Sequence, residues 1–111
     1  MGRKGLGEFE HQVLLAIIRL GGEAYSVPLV LELEERSGRD VAQAAVFIVL
    51  RRLEEKGLVT SRMEDSAETG TGRARRYFKL APQGMGRVRA HRRMLERFWD
   101  GMDEVMGEGQ P

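Results

Sequence analysis

The chain has no cysteine among its 111 residues, which excludes disulfides, thiolate metal sites and thiol nucleophiles. It has two histidines, His11 and His91, too few for an ordinary histidine-based metal centre, so neither a metal nor a cofactor is expected. Apolar runs such as Val13–Ile18 fall far short of the about 20 residues that span a bilayer, and no membrane partner is expected. The amino-terminal stretch MGRKGLGEFE lacks the apolar segment of a secretory signal, which predicts a cytoplasmic protein. Catalytic patterns are missing as well. Neither histidine sits in a nucleophile motif. Glu34-Glu35 and Glu54-Glu55 are neighbours on helices and do not face one another. Gly70-Thr71-Gly72 lacks the Gly-Lys-Ser/Thr and the following helix of a phosphate loop. No enzyme is expected, and binding remains.

At 41% hydrophobic and 32% charged, the sequence reads as one small globular domain. The net charge of +1 hides a strong asymmetry along the chain. Arg73 to Arg93 holds eight basic residues and no acidic one, whereas Met94 to the end holds five acidic residues and one arginine. A basic block of this kind suits an anionic partner such as nucleic acid.

Hydrophobic spacing divides the chain into elements. Leu6, Phe9, Val13, Ile17 and Leu20 recur at helical spacing up to Gly21-Gly22, with Leu14 and Ile18 as a second apolar line. Ser26 reads as the N-cap of a second helix burying Val30 and Leu33, and Asp40 as the cap of a third, with Gln43 completing a capping box. Val46, Leu50 and Leu53 form the core stripe of the third helix, and Gly57 ends it. Leu58–Met63 and Arg75–Leu80 flank a polar, glycine-rich stretch and predict a β-hairpin over residues 58–80. Pro82 opens a last helix running to about Met106.

Three helices followed by a hairpin predict a mainly α fold with a small β element, a winged helix-turn-helix over residues 1–81. A dimerisation helix over 82–106 and a disordered tail over 107–111 complete the expected chain. In that arrangement the third helix enters a major groove and the hairpin, or wing, lies along the backbone. Subtracting the core stripe leaves Gln43, Ala44, Phe47, Ile48 and Arg51 outward. Gln43 suits adenine, Ala44 or Phe47 a thymine methyl, and Arg51 a phosphate or guanine. Arg73, Arg75 and Arg76 on the wing suit phosphates, Ser26 joins the expected DNA contacts, and Arg3 and Lys4 form a basic arm.

On the last helix Val88, His91, Leu95, Phe98, Met102 and Val105 recur in a heptad seam, widened by Trp99 and Met106. With Leu14 and Ile18, this predicts a homodimer facing a palindromic double-stranded operator.

Three stretches carry a family resemblance: Gly22-Glu23-Ala24-Tyr25, Leu50-Arg51-Arg52-Leu53-Glu54-Glu55-Lys56-Gly57-Leu58-Val59 and Arg75-Arg76-Tyr77-Phe78-Lys79-Leu80. In this order the chain resembles the PadR-type transcriptional regulators, in their short form with a single C-terminal dimerisation helix. The resemblance implies a dimeric repressor that releases operator DNA on meeting a small, often aromatic, ligand, and the expected lining of a pocket for such an apolar or aromatic effector is Phe9, Val13, Leu95, Phe98 and Trp99. It also exposes departures. Ala44-Ala45-Val46-Phe47 stands where the family usually carries Gly-Thr-Leu-Tyr, Phe78 replaces a frequent Tyr, and Ala81 a frequent Thr. Leu95 takes the place of the Trp that lines the dimer pore of drug-sensing relatives, and Trp99 follows a turn later. The apolar third helix also leaves room for another class: a dimeric ligand-binding or protein-interaction module with weak or no specific DNA binding.

Overall fold

A computed structural model describes residues 6–65, 70 and 72–107. The basic arm at Arg3 and Lys4, most of the wing tip and the tail beyond residue 107 lie outside that range. The first helix, α1 (Glu8–Arg19), places Val13, Leu14, Ala16 and Ile17 in the core. Its last carbonyls are satisfied by the Gly21 N–H to Ile18 (3.0 Å) and the Gly22 N–H to Ile17 (2.9 Å), a Schellman closure.

The chain then makes a two-residue strand, β1 (Glu23–Ala24), before α2 (Ser26–Ser37) and α3 (Gln43–Glu55). Two expected caps are corrected here. The N-cap of α2 is Tyr25, with Ser26 already helical, and α3 starts from Ala42 rather than Asp40. Glu34 of α2 accepts the Val41 N–H at 2.9 Å and pins the turn, so the turn runs longer than an Asp40 cap would allow. On α2, Leu29 and Leu33 are buried while Val30 is only half-buried; on α3, Val49 joins Val46, Leu50 and Leu53.

The wing strands are β2 (Val59–Glu64) and β3 (Arg75–Leu80). With β1 they form an antiparallel sheet ordered β1-β3-β2, in register from Val59↔Leu80 to Glu64↔Arg75 and with Glu23↔Lys79. Strand alternation sends Phe78 into the core beside Leu58 and Val59. The result is a mostly helical winged helix-turn-helix.

The last helix is α4 (Pro82–Trp99), followed by the short α5 (Met102–Met106). The single helix expected to about residue 106 is thus broken. Gly101 takes a φ of 78°, a left-handed conformation that a residue with a Cβ resists. Val88 docks α4 on α1, where His11 and His91 face each other with ring centroids 4.2 Å apart. Burial, and then the nearby His91, keep His11 below its ordinary pKa of 6.5. Beyond this contact α4 leaves the domain as an arm, and the radius of gyration, 16.5 Å, exceeds the roughly 13 Å of a compact chain of this size. Among the described residues no helix is long and apolar enough to cross a membrane.

One ion pair staples α1 to the end of α3. Lys56 Nζ donates to both Glu10 carboxylate oxygens at 3.0 Å, and the Gly7 N–H donates to Glu10 Oε1 at 2.9 Å. Burial tends to raise the Glu10 carboxyl, but the Gly7 and Lys56 hydrogen bonds and the charges of Lys56 and Arg52 outweigh it. The group therefore titrates below its ordinary 4.5. A depressed folded pKa gives stabilisation that is present above the unfolded value and lost as pH falls through the folded one. Glu10→Gln is expected to cost about 2 kcal/mol near neutral pH. Denaturant unfolding should show the gap to wild type closing in acid.

Candidate nucleic-acid interface

The core stripe of α3 leaves Gln43, Ala44, Phe47, Ile48 and Arg51 exposed on its far side, as subtraction from the sequence predicts. Gln43 Nε2 donates to Ser26 Oγ at 2.8 Å, which ties the first turn of α3 to the first turn of α2. This bond leaves the Gln43 carbonyl and its second N–H for an adenine edge. Ser26 thus sits as a positioning group behind Gln43. The Phe47 ring meets Phe78 edge-on at 6.2 Å, and the Arg51 guanidinium lies 5.9 Å from the Phe47 centroid. Phe47 is therefore anchored by the core on one side and open on the other.

An open cleft of about 460 Å³ runs between the start of α2, α3 and the wing. Ser26, Phe47, Arg73, Arg75 and Arg76 all line it, so five of the expected DNA contacts converge there, joined by Tyr25 and Val27. The wing arginines are held differently. The Arg75 guanidinium lies 4.2 Å over the Tyr25 ring. Arg76 Nη1 donates to Ser61 Oγ at 3.0 Å, and Ser61 Oγ donates to Glu54 Oε2 at 2.7 Å, tying β2 and β3 back to α3.

Tyr25 meets Tyr77 edge-on at 5.4 Å, and Arg62 covers Tyr77 at 4.8 Å. Arg62 also pairs with Glu23 at 2.8 Å, and that hydrogen bond holds the Glu23 carboxyl below its ordinary value. This ladder of Arg75, Tyr25, Tyr77, Arg62 and Glu23 crosses all three strands. It was not expected from the sequence as a site, because it depends on the pairing of β1 with β3.

The α4 arm carries the second candidate surface. A groove of about 570 Å³ is lined by His11 and Leu15 of α1 and by Met85, Val88, Arg89, Arg92, Leu95, Glu96 and Trp99 of α4. Of the expected effector-pocket residues it gathers Leu95 and Trp99. Val13 is fully buried in the core and Phe9 packs half-buried against it, so neither lines the groove; Phe98 points to solvent at 70% exposure. The expected dimer seam is corrected in the same way. Leu14 and Val88 lie in the core of the chain itself and Ile18 is half-buried against it, because the first-helix apolar lines both serve the domain. Leu95, Phe98, Met102 and Val105 stay exposed, Val105 at 81%. Among the described residues, no group of three or more His, Asp or Glu side chains gathers to hold a metal ion.

A sequence model of the transcriptional regulator PadR-like family matches residues 14–90. No curated protein sequence matches the chain significantly. Solved structures match over most of its length. A PadR family transcriptional regulator from Eggerthella lenta is 24% identical, covering 85% of this chain and 80% of that one, with a TM-score of 0.68. A PadR-like transcriptional regulator from Bacillus cereus is 16% identical, covering 88% and 90%, with a TM-score of 0.70. BpsR of Bordetella bronchiseptica, whose DNA binding is regulated by 6-hydroxynicotinic acid, is 19% identical, covering 93% and 69%, with a TM-score of 0.67. At these identities the likeness is one of fold, and the sequence match carries the family: the chain belongs to the PadR-like transcriptional regulators, DNA-binding proteins of winged-helix architecture.

Proposed function

We propose that the protein is a cytoplasmic, non-enzymatic homodimeric repressor that binds a palindromic operator and leaves it when a small aromatic molecule occupies the α4 groove. The observation that carries this reading is the apolar end of the arm. Leu95, Phe98, Trp99, Met102, Val105 and Met106 are exposed on one chain, far more apolar surface than an isolated helical arm tolerates in water. A second copy packing its arm on the first covers them, and the two-fold axis then presents two α3 helices to one face of a duplex. Residues 1–81 serve as the DNA-binding domain and 82–106 as the dimerisation segment. Gln43, Ala44, Phe47 and Arg51 take the base edges, and the wing arginines the phosphates.

The groove beside Leu95 and Trp99 has the size of a small-molecule site, and Arg89 on its border suits an aromatic acid, while Arg92 is paired with Glu96 at 2.9 Å. The regulation of BpsR by such a compound supports the same chemistry here. Occupation shifts α4, changes the distance between the α3 helices, and lowers operator affinity through that difference between states.

The test starts with sedimentation and selection from random duplexes. A particle of twice 12.5 kDa is expected, together with an enriched palindrome whose half-sites lie about one helical turn apart. Phe98→Arg should give a folded monomer that loses the palindrome. Adding 6-hydroxynicotinic acid or other aromatic acids should change Trp99 emission and operator affinity together. A monomeric wild type, or the absence of an enriched duplex, overturns the reading.

A further inference from the structure

The outward face of α3 is apolar at its centre, where a helix lying in a groove places its base-reading side chains. Residues three and four apart share a helix face, so Ala44, Phe47 and Ile48 form one patch with Arg51 a turn beyond. Ile48 is 56% exposed and Phe47 39%. A shallow hollow joins these two side chains to Arg51 and Arg52, with Glu55 at its far end, and the wing cleft with Arg73, Arg75 and Arg76 adjoins it at Phe47. An apolar patch bordered by arginines fits a polyanion that displays methyl groups.

The major groove of duplex DNA is such a surface. Among base edges there, only thymine presents a methyl; guanine presents the N7 and O6 acceptors, and cytosine an amino group beside a bare C5–H. Pressed against Ile48 or Phe47, those polar atoms lose water without gaining a hydrogen-bond partner, so G·C pairs are penalised at these positions. Gln43, steadied by Ser26, supplies the amide that suits an adjoining adenine. We propose that Ala44, Phe47 and Ile48 read thymine by its C5-methyl group, so that the centre of each half-site is specified by apolar contact. This rests on the operator-binding reading above and names what that site reads.

The experiment replaces each thymine of the selected duplex in turn by deoxyuridine, which removes the methyl and nothing else. Each contacted methyl should be worth about fourfold in affinity. At a contacted position, a 5-methylcytosine·guanine pair should recover part of what a cytosine·guanine pair loses. Ile48→Ala should abolish uracil sensitivity at one position of each half-site, leaving the salt dependence and the other positions as they were. Ile48 is the cleaner site to alter, because truncating Phe47 also removes its contact with Phe78. Specific binding that treats thymine and uracil alike at every position overturns the inference and leaves operator binding standing. If no duplex is enriched, both fall. In that case, self-association that weakens in Ile48→Ala assigns the patch to a second copy of the chain.

Discussion

Gly84→Ala is expected to lower stability by about 3 kcal/mol, at the upper end for inserting a methyl into a packed interior. Thermal unfolding should show this as a fall in Tm of roughly 15 °C for a domain of this size. Gly84 is buried in the first turn of α4, which lies against the Leu58 backbone between α3 and β2 and against Leu80 at the end of β3. A Cβ there runs into the Leu58 carbonyl oxygen and comes within 2.8 Å of Leu80 Cδ1. The leucine methyl has room to turn away; the carbonyl has not. Leu58 O accepts the Ala81 N–H at 3.0 Å, and the Leu58 N–H donates to Leu53 O at 2.9 Å in the closure of α3. Relief therefore comes from moving α4 bodily, which loosens Val88 from the core and His91 from His11. A loss below about 1 kcal/mol would mean that α4 slides outward without disturbing the domain.

The same contact shows why parts of the fold were legible in the sequence and parts were not. The helices and the hairpin follow from local spacing: Val46, Leu50 and Leu53 for α3, and the β-compatible segments either side of a glycine-rich tip for β2 and β3. The two-residue β1 has no periodicity of its own and exists because β3 comes to lie beside it. Asp40 looked like a cap because the turn chemistry suited it, but Glu34 on the preceding helix reaches the Val41 N–H and takes over the task. Gly101 broke a helix whose heptad spacing continued beyond it. On the functional side, the outward residues of α3 were readable by subtraction. An apolar stripe, however, reports burial without naming the partner. Leu14 and Val88 therefore read as a dimer seam while they fill the core of the chain itself, and Val13 read as pocket while it is fully buried.

Replacing Arg73 and Arg75 together by alanine is expected to weaken binding to every duplex, cognate or not, by roughly 60-fold for each wing engaged at about 0.1 M salt, or about 4,000-fold for a dimer with both wings on the duplex. The log–log salt slope should become shallower by about 1.8 for each wing engaged, about 3.6 for the dimer, because each phosphate contact displaces counterions irrespective of sequence. The geometry makes Arg75 the better-prepared of the wing cations. Its guanidinium carbon lies 4.2 Å over the Tyr25 ring, a cation–π contact that holds the group while leaving N–H donors for a phosphate. Tyr77 supports Tyr25 from the side, so the stack belongs to the sheet rather than to one rotamer. Arg76 commits a donor to Ser61, and Arg62 is paired with Glu23; each therefore has less charge-bonding capacity to spare for DNA. Arg62→Ala should accordingly change the slope less than Arg75→Ala does, and Arg75→Lys should keep the slope while losing the affinity that depends on a stacked, preorganised fork. A titration separates this from readout by α3, since Ile48→Ala alters which duplex is preferred and leaves the slope alone. An unchanged slope in the double variant would mean that the wing does not reach the phosphates, and that affinity comes from α3 and the chain preceding α1.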